Sequence, residues 1–208
     1  KGAWHTEALP IIERGEGCYL YDTDGNEYLD GLAGLFCVNI GHGRSDLAAV
    51  AASQMETLAF ATNWGFAHPP AIEASTMIAG FAPGDLSETF FVSSGSEAVE
   101  SAIKFARNYH VARGDEGRYK VISRQNSYHG ATHLCIALGF NSVNRPNDYG
   151  PLVPGNIRIS NPGVDYRTRS GDWDMQYAAD LERAIISEGP DSVAAFIGEP
   201  ISAASGIH

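Results

Sequence analysis

Three short runs combine side chains whose types and spacing suit them to chemistry. The first is Phe90-Phe91-Val92-Ser93-Ser94-Gly95-Ser96-Glu97-Ala98-Val99-Glu100. It passes from β-rich apolar residues through small ones into a strongly helical stretch. That order predicts a strand, a tight turn and a helix N-terminus, where free backbone N–H groups and the positive dipole end hold a phosphate. Gly95 leaves room for an anion, and Ser96 adds a hydroxyl at the helix start. The second run, Tyr128-His129-Gly130, follows a polar loop. Its aromatic ring is able to stack on a planar heteroaromatic ligand, and Gly130 lets backbone come close. The third is Gly198-Glu199-Pro200, directly after the apolar run Val193–Ile197. A carboxylate at the end of a buried strand is costly unless it is hydrogen-bonded or poised at a site.

Each run alone has an ordinary alternative. Ser-Gly-Ser before a helix is often a capped turn, Tyr128 reads also as a core aromatic beside a turn, and Glu199 as a solvated strand-end acid. The competing phosphate motifs are missing: no Gly-x-Gly-x-x-Gly follows a strand and no Gly-Lys-Ser/Thr occurs. His129 and His133 lie one helical turn apart, but no Glu or third ligand accompanies them, so a zinc site is weakly supported and no metal is expected.

The elements that position these runs follow from periodicity and turn chemistry. Cys18–Asp22 and Glu27–Asp30 read as short strands around the hairpin turn Thr23-Asp24-Gly25-Asn26. Gly31–Gly43 is glycine-rich and reads as closely packed loop. A helix is expected from Ser45-Asp46 to about Leu58, with Ser45 as N-cap. Another starts at Pro69-Pro70 and ends near Phe81, before Pro83-Gly84. A strand–helix–strand rhythm follows: strand Thr89–Val92, helix from Ser96 to about Arg113, strand Lys120–Ser123. Ala98, Val99, Ala102, Ile103, Ala106 and Tyr109 form one helical face. Cys135–Leu138 belongs to a further element. Residues 141–173 read as a long ordered loop or lid. Asp174 caps a last helix to about Ser187, and Ser192–Ile197 is a buried strand. Strands alternating with helices argue for an α/β fold with a mainly parallel sheet covered on both faces.

In order and spacing, Ser-Gly-Ser-Glu-Ala, then Tyr-His-Gly, then Gly-Glu-Pro, the chain resembles the class III aminotransferases. These are the ω-transaminase group of the fold-type I enzymes that use pyridoxal 5'-phosphate (PLP). The resemblance extends upstream to Asp24-Gly25-Asn26-Glu27-Tyr28-Leu29-Asp30-Gly31 and to Gly34-Leu35-Phe36-Cys37-Val38-Asn39-Ile40-Gly41-His42-Gly43, and so covers nearly the whole chain. It implies that residues 1–55 form the N-terminal part of a small α+β domain, and 56–208 most of a large PLP-binding domain completed by a C-terminal remainder. It implies PLP phosphate binding at Gly95 and Ser96, ring stacking by Tyr128 with His129 beside it, and Glu199 in the polar network around the ring. Leu35, Phe36, Trp64 and Ala131 fall where such enzymes line the substrate pocket, some reaching across a homodimer interface. Phe36 stands where many relatives carry Trp. No catalytic residue is expected within the chain. The Schiff-base lysine and the aspartate that pairs with the pyridine nitrogen are expected downstream, and Lys1, Lys104 and Lys120 do not match the lysine.

The implied reaction moves an amino group from an amine or ω-amino acid to a keto acid such as pyruvate. A class III PLP decarboxylase or racemase shares the same cofactor motifs, and a non-catalytic isolated half is a further alternative. Composition narrows the field in other directions. The chain has 208 residues, 44% hydrophobic and 19% charged, which is enough for a sizeable core. Its net charge of −11, without a basic cluster, argues against nucleic acid as a partner. No apolar run reaches the roughly 20 residues of a membrane span, and the start lacks the apolar stretch of a signal peptide. Cys18, Cys37 and Cys135 read as free thiols in a reducing compartment, with the cytoplasm expected.

Overall fold

The computed structural model describes residues 9–139, 149–161 and 173–203, in two compact units, Lys1–Glu88 and Thr89–His208.

The first unit begins with an antiparallel meander of β1 (Ile12–Glu16), β2 (Tyr19–Asp22) and β3 (Glu27–Leu29). The expected hairpin forms, with Tyr19 opposite Leu29 and Tyr21 opposite Glu27. Asp22 organises its turn. Its Oδ1 accepts from the backbone N–H groups of Asp24 (3.0 Å) and Asn26 (2.8 Å), and its Oδ2 from the Asn26 amide (2.9 Å) and the Tyr28 hydroxyl (2.7 Å). These bonds, the Asn26 amide first among them, hold the Asp22 carboxyl down at about 2. β1 is a strand that the sequence does not announce, because Ile12-Glu13-Arg14-Gly15-Glu16 has little alternation and carries an irregular register between Ile12 and Arg14.

The glycine-rich loop after β3 contains an unusual turn, α1 (Ala33–Phe36). Its four residues run at φ of 51°, 60°, 62° and 66°, so the turn is left-handed, although only Gly34 is glycine. For an L-residue that conformation costs roughly 1–2 kcal/mol. α2 (Ser45–Thr57) and α3 (Pro69–Phe81) match their expected spans, and Pro69-Pro70 occupies the first turn of α3. Ser45 is not the cap of α2. Arg44 holds that position, without a side-chain capping bond, and its guanidinium pairs with Asp46 at 2.6 Å. Neither helix buries a residue fully, and Val50, Met55, Met77 and Phe81 are exposed.

The second unit is built on a parallel sheet in the order β5-β4-β6: β4 (Lys120–Arg124) at the centre, β5 (Asn156–Ile159) and β6 (Val193–Ile197) beside it. Successive residues of a strand point to opposite faces. Val121 packs with Ile103 of α4 (Gly95–Ala112) and with Leu134 and Leu138 of α5 (His133–Leu138). Ile122 faces the other way, in a cluster with Ile159 and Val193 that Leu181, Ala184 and Ile185 of α6 (Trp173–Glu188) cover. Helices therefore lie on both faces of the sheet.

Several expectations need correction. Thr89–Val92 takes part in no ladder among the described residues. Phe90 instead meets Phe105 edge-on at 5.4 Å, because β propensity makes a strand only where a neighbouring strand accepts its hydrogen bonds. In α4 Ser101 and Ile103 are buried and Val99 and Ala106 half-buried, while Ala98, Ala102 and Tyr109 are exposed, so the expected apolar face is too wide. β5 interrupts the stretch read as one loop over 141–173. Its alternation Asn156-Ile157-Arg158-Ile159 is only four residues long and is lost among neighbouring prolines and glycines. Residues 141–148 and 162–172 of that stretch, and the side chain of Asp174, lie outside the described residues.

Candidate functional site

α4 begins at a reciprocal cap. The Ser94 hydroxyl accepts from Glu97 N–H (3.2 Å), while the Glu97 carboxylate accepts from Ser93 N–H (2.7 Å). This Ser-x-x-Glu pattern is a helix-start signature legible in the sequence. With Ser93 and Glu97 satisfied, helical geometry leaves the N–H groups of Gly95 and Ser96 as the free donors of the first turn. A side chain at Gly95 would meet nothing within 4 Å, so the space beside the helix start is open.

The strip Ser127–Ala131 is fastened onto this helix start. Ala131 N–H donates to Ser96 Oγ at 3.0 Å, which leaves the Ser96 hydroxyl proton free to donate elsewhere. Cys135 Sγ–H donates to Ser96 O at 3.5 Å. Between them sits Gly130 at φ 129°. A methyl group there would lie 2.5 Å from Ser96 Oγ, 2.9 Å from Cys135 Sγ and 3.0 Å from Ser96 Cα. Gly139 does the same from below: a Cβ would stand 2.7 Å from Ser127 O. Burial pushes the Cys135 thiol up, away from the reactive thiolate.

Tyr128 and Glu199 meet at the C-terminal end of the sheet. Tyr128 N–H donates to Glu199 Oε2 at 3.4 Å, and Ser202 Oγ donates to the same oxygen at 3.3 Å. The Glu199 carbonyl accepts from Arg124 Nη1 at 3.1 Å. Glu199 is thus tied into the loop after β6 and to the strip after β4. The Tyr128 ring is 50% exposed, a surface able to stack on a ligand. His129 is only 8% exposed, and its Nε2 is buried with no partner among the described residues. Burial lowers its pKa, which keeps the imidazole neutral at pH 7.

The second unit therefore brings Gly95, Ser96, Tyr128, His129, Ala131 and Glu199 to one end of one sheet. Leu35, Phe36 and Trp64 belong to the first unit, where they are 65%, 64% and 91% exposed. Lys120, at the start of β4, is engaged with both the backbone carbonyl and the carboxylate of Glu188 at 2.9 Å. The close approach expected at Gly130 is present, while residues missed by sequence reasoning are Cys135, Ser202 and Arg124, whose contacts arise only from the folded topology. No group of three metal-ligating side chains occurs among the described residues. A cavity of about 330 Å³ lies elsewhere in the unit, between Arg124, Ile159, Tyr177, Leu181 and Phe196, and includes none of the candidate residues.

The pattern of the family described as aminotransferase class-III matches residues 2–208. A probable aminotransferase of Mycobacterium tuberculosis is 44% identical over 206 residues, covering 95% of this chain and 43% of that protein. The putrescine–pyruvate aminotransferase of Pseudomonas aeruginosa is 38% identical over 203 residues, covering 95% and 44%. An amine transaminase from an uncultivated Pseudomonas species, solved in its PLP-bound form, superposes with a TM-score of 0.88 at 35% identity, covering 100% of this chain and 48% of that one. The chain spans about half the length of the curated relatives it matches.

Proposed function

Because this chain belongs to the class III aminotransferases, with the α/β fold of the fold-type I PLP-dependent transferases, we propose that it forms part of an enzyme that moves an amino group from an amine or ω-amino acid to a keto acid such as pyruvate, with PLP as cofactor. The observation that carries this reading is the clip between Ser96 Oγ and Ala131 N–H. It joins a phosphate-suited helix start to an aromatic platform in a single rigid piece.

The residues fit the cofactor. The free N–H groups of Gly95 and Ser96, the Ser96 hydroxyl proton and the helix dipole would hold its dianionic phosphate. Gly95 presents open space, and the tight approach at Gly130 keeps the platform close to that cup. Tyr128 would supply an aromatic face to the cofactor ring, its backbone N–H held by Glu199. His129 stays neutral beside the ring, so it adds no positive charge next to the heterocycle. When bound, the cofactor supplies the electron sink for the carbanion left as the substrate carbon loses its proton. These residues would anchor and orient the cofactor.

The domain division follows the same reading: 1–55 contributes to a small domain and 56–208 to a large, cofactor-binding one. Leu35, Phe36, Trp64 and Ala131 line the amine pocket. A homodimer is the expectation the family resemblance carries, and the exposed apolar residues of α2 and α3 (Val50, Met55, Met77 and Phe81) are available to such an interface. A cytoplasmic setting is supported by the free thiols of Cys18, Cys37 and Cys135, and no helix among the described residues is long and apolar enough to cross a membrane.

The test is a product assay on the complete holoenzyme supplied with pyruvate and an amine. Alanine formed in step with amine consumption is expected. Carbon dioxide release or racemised substrate without alanine would overturn the reading in favour of a decarboxylase or racemase.

A further inference from the structure

The left-handed turn α1 is strained and yet exposed. Ala33, Leu35 and Phe36 hold φ values of 51°, 62° and 66°, and the Leu35 and Phe36 side chains stand largely in solvent within their unit. Among the described residues burial does not compensate for this conformation, and strain of this kind concentrates at functional positions.

The restraint is visible. One oxygen of Asp30, Oδ2, accepts from Gly34 N–H at 2.9 Å and meets His42 Nε2 at 2.8 Å. Asp30 O also accepts from Ala33 N–H at 3.2 Å. The turn is closed by Phe36 N–H to Leu32 O (2.9 Å) and Val38 N–H to Ala33 O (2.8 Å). His42 is itself fixed. Its backbone exchanges both hydrogen bonds with Gly17, at 2.8 and 3.2 Å. Its ring lies on Gly15, where a Cβ would stand 2.6 Å from His42 Cγ. The β1–β2 hairpin therefore holds His42, His42 holds Asp30, and Asp30 holds the left-handed turn.

We propose that Asp30 and His42 are positioning residues for amine specificity, clamping α1 left-handed so that Leu35 and Phe36 are presented to substrate in one fixed direction. The proposal rests on the assignment of Leu35 and Phe36 to the amine pocket. The clamp touches neither substrate nor cofactor. Its effect is on which amine fits, not on the proton transfer.

The test compares kcat/KM for propylamine and for 1-phenylethylamine, each with pyruvate, in the complete holoenzyme. His42→Phe keeps a ring against Gly15 but removes Nε2, and Asp30→Ala removes the shared carboxylate. Each is expected to change the ratio of the two kcat/KM values by about tenfold, about 1.4 kcal/mol, with the cofactor absorption spectrum unchanged. Ala33→Gly added to either variant is expected to bring the ratio back by at least about threefold, since glycine adopts the left-handed backbone without the steric cost. A loss of stability alone predicts no such recovery. Where Asp30→Ala gives no soluble holoenzyme, His42→Phe with and without Ala33→Gly decides the matter. Leu35→Ala and Phe36→Ala serve as the separate control on the pocket. If they change the ratio while both clamp variants leave it alone, or if Ala33→Gly recovers nothing, the clamp is overturned and the pocket stands. If they leave the ratio unchanged, the pocket assignment itself falls.

Discussion

Gly130→Ala probes the joint on which the site depends. The added methyl group would stand 2.5 Å from Ser96 Oγ, 2.9 Å from Cys135 Sγ and 3.0 Å from Ser96 Cα. All three neighbours are held, two of them on a helix end, so none yields cheaply. Overpacking of this sort costs about 1–3 kcal/mol. The φ of 129° adds about 1–3 kcal/mol for a residue with a Cβ. If the two costs add, the native strip is disfavoured by about 2–6 kcal/mol. The chain escapes by lifting residues 128–131 off α4, which breaks the Ala131–Ser96 hydrogen bond and tilts the Tyr128 platform from the phosphate cup. PLP affinity, measured by fluorescence titration of the apoenzyme, is then expected to fall at least thirtyfold, about 2 kcal/mol, with a lowered urea midpoint for the holoenzyme. Adding Cys135→Ala removes one of the three contacts and is expected to recover part of the loss. PLP affinity within about twofold of the parent would refute the argument, because it would show that the strip and the helix start need not touch.

Other expectations are simpler. Tyr128→Ala weakens PLP binding about threefold to tenfold through lost stacking, and Tyr128→Phe stays within about twofold; equal affinities for all three proteins in the same titration would remove the ring from the site. Ile122→Ala, at a fully buried position of the central strand, lowers the unfolding free energy by about 2–5 kcal/mol, read from urea denaturation. Asp22 has a folded pKa of about 2, below its ordinary value of 3.8. Its contribution is therefore complete above pH 4 and lost as pH falls through about 2. Asp22→Asn lacks that dependence, so the stability gap between the two proteins narrows from pH 4 to 2; a constant gap would show that the turn does not depend on the carboxylate.

Much of the second unit is legible in its sequence. Apolar runs ending in small or polar residues marked β4 and β6, and Ser-Gly-Ser-Glu marked the start of α4 to within one residue. These signals are local, which is why they read cleanly. Thr89–Val92 failed as a strand because a strand is a relation to a neighbour, and no pattern within four residues encodes one. β5 was hidden for the opposite reason, its two isoleucines being enough once β4 lies beside it. At the candidate site the residue types were readable, but their couplings were not. Ser96 was singled out for its hydroxyl, yet nothing in the chain announces that Ala131 N–H reaches it across 35 residues. The left-handed turn at Ala33–Phe36 was equally invisible, since Ala, Leu and Phe ordinarily avoid that conformation.

The placement of β4 between β5 and β6 also sets a timetable. β4 ends at Arg124, and its second neighbour begins only at Val193. During synthesis at 5–20 residues per second, roughly 70 residues separate the two, an interval of about 4–14 s. Throughout it, Val121 and Ile122 lie on a strand with one side uncovered and its N–H and C=O groups unpaired. A nascent chain in that condition pairs readily with another exposed strand. The same crossover that gathers the candidate residues at one end of the sheet therefore leaves β4 with an open edge until β6 emerges.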